Sequence, residues 1–413
     1  MVMTKKQRDF LFLLEHEDRE GASIRRIVKK LENEGKKVSI LSLEFHLFLI
    51  SKIDPSVVVI PYGFDLNQWP INYIVREFPN AQFFSLNWEQ LLTPINQYYK
   101  KPRDAFFRER VKHIAWNEDF KSFLVENGVL EKNIAITGNV HYELLAEDAK
   151  NKNHVKVELA ERFKLDAKKT WVFLPMNYAW AFISDTEIRG KINKGYDSKN
   201  AWIYKDYASK CLALFLDFLT LLSSKHVDYQ FIVRPHPSIS CGQYYRKAAE
   251  KGIEFGKNIV FSKELTIREW IVASEIVGSS WSSSVWDAVN SGKKGFLFTP
   301  LDKPEWHTVW WEKYLTNYQN FEEVDFYALS DGIDCLDHSR SLSASDNIVA
   351  YLNHSLRFHK SVSLKEQVRF DPKILFLCKV KKLRTFLRYS SVKWFGAIGI
   401  RKGFLRDFFE PKL

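Results

Sequence analysis

Eleven short apolar runs, each followed by enough chain for a helix, limit what this sequence can fold into more than any other feature it has. Six fall in the first part: FLFLLEHE (10–17), KVSILSL (37–43), VVVIPYG (57–63), AQFFSLN (81–87), HIAWN (113–117) and NIAITG (133–138). Five fall in the second: WVFLPMN (171–177), QFIVRPHP (230–237), NIVFS (258–262), EIVGSS (275–280) and KGFLFTP (294–300). Between the first two runs, Ile24, Ile27, Val28 and Leu31 recur at helical spacing and the segment ends on a glycine. A long apolar stretch over 201–224 is a second clear helix. Strands alternating with helices call for parallel β-α-β crossovers. The expected fold is therefore α/β, with two tandem Rossmann-like doubly wound domains. A polar stretch, AEDAKNKNHVKVE (146–158), marks the division. It predicts an N-terminal domain over 1–150 and a second over 151–340, followed by C-terminal helices and a basic tail over 341–413. At 413 residues the chain is too long for one ordinary core and suits two.

Sheets of this kind bind ligands outside the carboxyl ends of their strands, so the residues just past each run are the candidates. Two such domains facing one another would put those ends across one cleft. QFIVRPHPS ends in a histidine between two prolines. Pro235 and Pro237 fix the backbone, so the His236 imidazole is pre-positioned to donate to a phosphate oxygen, with Arg234 adding a fixed charge. EIVGSSWSSSVWDAVNSGKKG follows about forty residues on. Ser279, Ser280, Ser282, Ser283 and Ser284 crowd a strand-to-helix turn, and the helix is expected to run from near Ser284 to Gly292. Free N–H groups and hydroxyls at such a turn make an anion site, and Asp287 is placed to accept from ribose hydroxyls. Capping alone accounts for one or two serines, not five.

A third stretch, EHEDRE, closes the first strand. Acids crowded at a strand end raise one another's pKa and suit general-base work. Glu17 is the preferred base, with Arg19 as an orienting or substrate-binding charge; Glu15 and Glu20 stay open. Weaker signals sit at other strand ends: Asn87 and Glu89 in SLNWEQ, Gly138 and Asn139 in ITGN, and Asn177 and Trp180 in PMNYAW. These are candidates for sugar or acceptor contacts.

Charge is uneven. The chain carries a net +11, and residues 371–413 hold eleven Lys/Arg against three Asp/Glu, leaving +3 for the rest. In that tail Leu, Phe, Trp and Ile alternate with Lys and Arg, the pattern of a segment lying on anionic lipid. With a nearly neutral body and no nucleic-acid motif, no nucleic-acid partner is expected. Four scattered cysteines fit a reducing compartment. The opening apolar run is short and meets Glu15 and Glu17, so it reads as a strand rather than a signal peptide. No stretch approaches the ~18 apolar residues of a span. The expected location is cytoplasmic, peripheral on the inner face of the inner membrane.

The TGN at 137–139, the HP at 236–237, and the serine run followed by Asp287, Ala288 and Gly292 resemble GT-B enzymes. With EHEDRE and NYAWAF they look like bacterial capsule and surface-carbohydrate biosynthesis glycosyltransferases, over roughly residues 10–300. UDP-N-acetylglucosamine 2-epimerases are similar in the TGN and HP turns, but Ser283 and Ser284 stand where they carry glycines. CDP-glycerol glycerophosphotransferases are similar in the histidine and in SSVWD. Sialyl- and Kdo-transferases that use CMP donors also pair an HP turn with a serine cluster. The resemblance implies a nucleotide-sugar donor, CMP- or UDP-linked, and a glycan or lipid-linked glycan acceptor. It implies no separate cofactor, and no metal.

Overall fold

The computed structural model describes residues 5–67, 69–92, 100–193, 196–329, 343–357, 372–395 and 408–413. Two compact units emerge. The first takes the described residues up to Glu143 and those after Leu336; the second takes those between Leu144 and Leu336.

The first unit is built on a six-stranded parallel sheet in the order β2-β1-β3-β4-β5-β6. Its strands are β1 (Lys6–Leu14), β2 (Val38–Ser42), β3 (Ile53–Ile60), β4 (Gln82–Ser85), β5 (Lys112–Ala115) and β6 (Ile134–Ile136). Phe10–Leu14 and Val57–Ile60 are wholly buried, because a parallel sheet is covered on both faces. The covering helices are α1 (Ala22–Asn33), α2 (Ile71–Glu77) and α3 (Glu118–Glu126); α4 (Val140–Ala149) begins in this unit and ends in the second. The predicted stripe of α1 is buried at Ile24, Ile27, Val28 and Leu31, and Gly35 ends the helix at a φ of 77°.

The second unit repeats the plan in the order β12-β11-β10-β7-β8-β9. Its strands are β7 (Thr170–Pro175), β8 (Tyr229–Arg234), β9 (Ile259–Phe261), β10 (Ile276–Ser279), β11 (Lys294–Phe298) and β12 (Thr316–Tyr318). Its helices are α5 (Lys152–Phe163), α6 (Asp185–Ile192), α7 (Ser198–Lys225), α8 (Cys241–Glu250), α9 (Ile267–Ala273) and α10 (Ser284–Val289). By length and composition α7 is apolar enough to cross a membrane, contrary to the expectation that no stretch approaches a span. Its apolar residues, including Leu212, Phe215, Phe218 and Leu219, lie in the core of this unit.

The chain then returns to the first unit. There α11 (Ala344–Arg357) packs on α1, and α12 (Pro372–Phe395) packs on the short turn Leu47–Lys52. Near the chain's end Lys412 pairs antiparallel with Ile40 on the outer edge of β2. Of the basic tail, 371 and 396–407 lie outside the described residues.

Eleven strands stand where the runs predict them, and the plan is the expected pair of Rossmann-like domains. Three details differ. β1 stops at Leu14, since the carbonyl of His16 accepts from the N–H groups of Arg19 and Glu20 and turns the chain into a short wide helical turn, Glu17–Gly21. α10 ends at Val289 rather than at Gly292, so it has only six residues. β12 is a three-residue edge strand with two exposed residues and no apolar run to announce it.

Candidate functional site

Each sheet changes direction once. In the first unit the chain moves from β1 out to β2, then returns to β3 and continues the other way, so the reversal falls between β1 and β3. In the second it falls between β7 and β10. These reversal points open a crevice at the carboxyl edge.

Glu15 directly follows β1 and Tyr62 follows β3, and the Tyr62 hydroxyl donates to the Glu15 carboxylate across the reversal point. Around them Arg19 joins three acids. Its Nη2 donates to Glu20 at 2.6 Å and to Glu15 at 3.1 Å, and its Nη1 to Glu89 at 2.6 Å. Lys100 adds a second cation, 3.3 Å from Glu89. Burial opposes the charge on Arg19, but Glu20, Glu89 and Glu15 outweigh it and raise its pKa. Glu20 is fully buried, and burial raises its pKa against the pull of Arg19. Burial also favours the neutral form of Glu89, but Lys100 and Arg19 overcome it and hold that carboxyl below the usual range.

The preferred base sits elsewhere. The Glu17 carboxylate folds back over Gly21, where a β-carbon would stand 2.1 Å from its Oε1, and it pairs with Arg25 on α1. That pairing ties Glu17 to the helix start and corrects the choice among the acids: Glu15 is the carboxylate at the reversal point. Glu15 keeps about a quarter of its side chain exposed, and His16 Nε2 lies 3.7 Å from its Oε2. The sequence reading passed over His16, Tyr62 and Lys100. His16 lay inside the acid run; Tyr62 and Lys100 gain meaning only once the strand order is known.

Two first-unit candidates serve the fold. Asn87 is buried, at a φ of 50°, and its amide donates to the carbonyls of Ser85 and Ile114, fastening β4 to β5. Asn139 is buried too, and its side chain accepts from the N–H of His141 at the start of α4. Gly138 precedes it at a φ of 82°. Neither asparagine side chain is offered to a ligand, contrary to the sugar contacts expected.

In the second unit, β7 lies between β8 and β10, and the three strand ends are level: Pro175 pairs with Arg234, and Ser279 Oγ donates to the Pro175 carbonyl at 2.6 Å. His236 and the serine run therefore share one edge but are two strand spacings, about 10 Å, apart. The segment Met176–Trp180 runs between them.

The His236 ring accepts the Ser238 backbone N–H on Nδ1 at 3.2 Å. A backbone N–H can only donate, so in the neutral ring the proton is on Nε2, which is left to donate. Burial, then the charge of Lys263, holds the pKa of His236 below the usual histidine value and keeps the ring neutral. Lys263 donates to the Pro237 carbonyl at 2.6 Å; it follows β9 in an ordinary FSKEL, which gave no signal in the sequence. Arg234 does not serve as expected. Its two terminal nitrogens donate at 2.7 Å to the carbonyls of Glu264 and Leu265, bracing a turn in which Leu265 has a φ of 62°. A left-handed leucine costs about 1–2 kcal/mol, so the brace holds the loop that carries Lys263 in a conformation it would not keep alone.

The serines divide in two. Ser279 and Ser280 are buried; Ser280 is hydrogen-bonded to the hydroxyl of Tyr178, itself wholly buried. Ser282 is half-buried and Ser283 exposed, at the mouth of the reversal point. Ser282 Oγ accepts from the N–H of Ser284 at 3.4 Å and lies 3.2 Å from Ser284 Oγ. The loop is pinned by Trp281, which is buried against Tyr178, Tyr207 and His307. Asp287 is half-buried one turn into α10. With only six residues α10 has little dipole, so hydroxyls rather than a helix terminus are what this loop offers. Asn177 is half-buried, and Trp180 packs at a tilt against Tyr196 and Tyr204 under the Lys191 ammonium.

A surface hollow lined by Gln7, Asp54, Arg76 and Glu77 lies at the amino ends of β1 and β3, the edge where such sheets do not bind ligands. Among the described residues no group of three His, Cys, Asp or Glu is gathered as metal ligands are.

No protein-family model and no curated protein matches this chain. Solved structures do. S. aureus MnaA with UDP is 12% identical, with a TM-score of 0.53, covering 87% of this chain and 99% of its own. The UDP-N-acetylglucosamine 2-epimerase of Rickettsia bellii is 10% identical, with a TM-score of 0.51, covering 86% and 99%. The wall teichoic acid polymerase TagF, soaked with CDPG, is 14% identical, with a TM-score of 0.50, covering 88% and 90%. At such identities the likeness is one of fold, and that fold is the GT-B architecture of two Rossmann-like domains, here shared with enzymes of nucleotide-sugar and cell-wall polymer chemistry.

Proposed function

We propose that the chain is a glycosyltransferase that moves a sugar from a nucleotide-activated donor to a surface polysaccharide or its lipid-linked precursor. The observation that carries this reading is the coincidence of chemistry with topology. In each unit polar side chains gather at the carboxyl edge of the sheet: around the reversal point in the first, and in the second from Ser282 and Ser283 at the reversal point across β7 to His236 and Lys263 past β8 and β9.

In the second unit His236 Nε2–H, Lys263 and the hydroxyls of Ser282 and Ser283 hold the donor phosphate, and Asp287 the ribose. Asn177 and Trp180 line the sugar. In the first unit Glu15, held by Arg19 and Tyr62, takes the acceptor proton. The acceptor oxygen bonds to the anomeric carbon, the bond from that carbon to the phosphate oxygen breaks, and the nucleotide leaves with the electron pair. Charge grows on the phosphate as this happens, so donors fixed there lower the barrier directly.

The test begins with thermal shift against CMP, CDP, UDP and GDP. One base is expected to raise the unfolding midpoint, since a ligand that binds only the folded state stabilises it. His236→Ala should abolish that shift and cut turnover by at least about a hundredfold with folding kept. Glu15→Gln should cut turnover as far while leaving the shift. A His236→Ala protein with unchanged shift and turnover defeats the reading.

The second reading, a glycerol or ribitol phosphotransferase, is favoured by the likeness to TagF. Mass spectrometry of the acceptor separates the two: a hexose or acidic sugar residue is gained in the first, a polyol phosphate in the second.

A further inference from the structure

We propose that the outward face of α12 docks on an anionic bilayer and thereby holds the first unit at a membrane surface. Phe376, Val380, Leu383, Leu387 and Trp394 are all exposed, from 46% for Val380 to 74% for Trp394. At about 100° per residue they fall within about 40° of one line along the helix. The opposite side is the packed one. Thr385 is buried there, Tyr389 meets His46 edge-on and packs at a tilt on Phe48, and the ammonium groups of Lys381 and Lys382 sit over the rings of Trp69 and Tyr73. A helix of 24 residues, about 36 Å long, thus turns its polar and mixed side inward and its apolar line outward, the reverse of an ordinary surface helix.

Two occupants suit an apolar line with this spacing: a second copy of the helix in a coiled coil, or lipid. The charges choose between them. In a coiled coil the positions flanking the seam face each other across the pair. Here the flanks are Lys379 on one side and Arg384 on the other, Lys393 being drawn to Tyr389 and Glu410, and α12 holds no Asp or Glu at all. Two copies would set cations against cations, in either orientation. An anionic surface meets the same cations with opposite charge, and Trp394 is of the type favoured where hydrocarbon meets water. The apolar line enters the headgroup boundary and the flanking cations stay in the headgroups.

The helix also reaches the carboxyl edge of the first sheet, the edge on which Glu15 lies: Arg388 pairs with Glu44, just past the end of β2. A bilayer under α12 would present a lipid-linked acceptor to the same edge of the first unit. That last step rests on the proposed transferase reading; the docking does not.

The test is co-sedimentation of the full chain with phosphatidylcholine vesicles, with and without phosphatidylglycerol. Binding is expected with the anionic lipid, weak without it, and reduced by salt. Lys379→Glu with Arg384→Glu should lower the partition by about fivefold or more for each charge. Leu383→Ser with Leu387→Ser should lower it more than tenfold. All four side chains are exposed, so the variants should fold, and a cooperative melting transition at the wild-type temperature checks that they do. Equal binding to both vesicles, no binding to either, or unaltered binding by either double variant overturns the proposal. So does a wild-type dimer that the leucine variant turns monomeric without any vesicle binding.

Discussion

At the scale of single residues, the lesson is how often a charged or amide side chain past a strand end is spent on the protein itself. Arg234, Asn87 and Asn139 all carry the right chemistry for a ligand and all are used on backbone groups. The sequence shows donors and acceptors but not which carbonyl will be nearest, so this division was not legible there. The places of His236, Ser282 and Ser283 past their strand ends were legible, because apolar runs that end in prolines or serines are local facts. The pair Arg19 and Glu20 belongs to the same scale. Glu20 has no exposure, so removing its partner leaves a buried charge. Arg19→Ala should destabilise the first unit by about 3 kcal/mol, the low end for such a loss because Arg19 is itself a third exposed. Adding Glu20→Gln should restore part of it. Urea unfolding measures both; an unchanged midpoint in the single variant would show that water reaches Glu20.

At the scale of elements, eleven of twelve strands could be read from continuous apolar runs, and β12 could not, since TNY carries no pattern. Strand pairing imposes demands that no single run displays. Gly278 in β10 lies opposite Phe296 in β11, and the Phe296 ring covers the glycine so closely that a β-carbon would meet it at 2.1 Å. In the sequence the glycine only opens the serine-rich turn, yet its place is set by a neighbouring ring. Gly278→Ala is expected to cost about 1–3 kcal/mol through overpacking, seen as a lower melting temperature of the second unit. A neutral substitution would mean that the Phe296 ring moves aside without loss.

At the scale of the whole molecule, the reversal points became visible only with the strand orders, which depend on contacts between distant parts of the chain. Burial at this scale also fixes a response to acid. His46 and His113 in the first unit and His307 in the second are all pushed down to about 4, chiefly by burial. Unfolded, each would take its proton near 6.5. Between those values the unfolded chain binds more protons, so the stability these rings allow is full above about pH 6.5 and is lost as pH falls toward 4. The loss should reach about 1 kcal/mol per pH unit for each ring. Melting temperature should therefore drop between about pH 7 and pH 5, before most carboxylates titrate. A flat profile over that range would contradict the burial of these rings.

The return of the chain to its first unit has a consequence for synthesis. The described residues of the second unit all lie between 144 and 329 and can close as soon as they leave the ribosome, whereas the first must wait for α11, α12 and the segment around Lys412. Until then the outer edge of β2 has no partner, and an uncovered strand edge is a template for pairing with other chains. The later-made domain is thus the first to be finished, and the first-made one spends the interval with that edge uncovered.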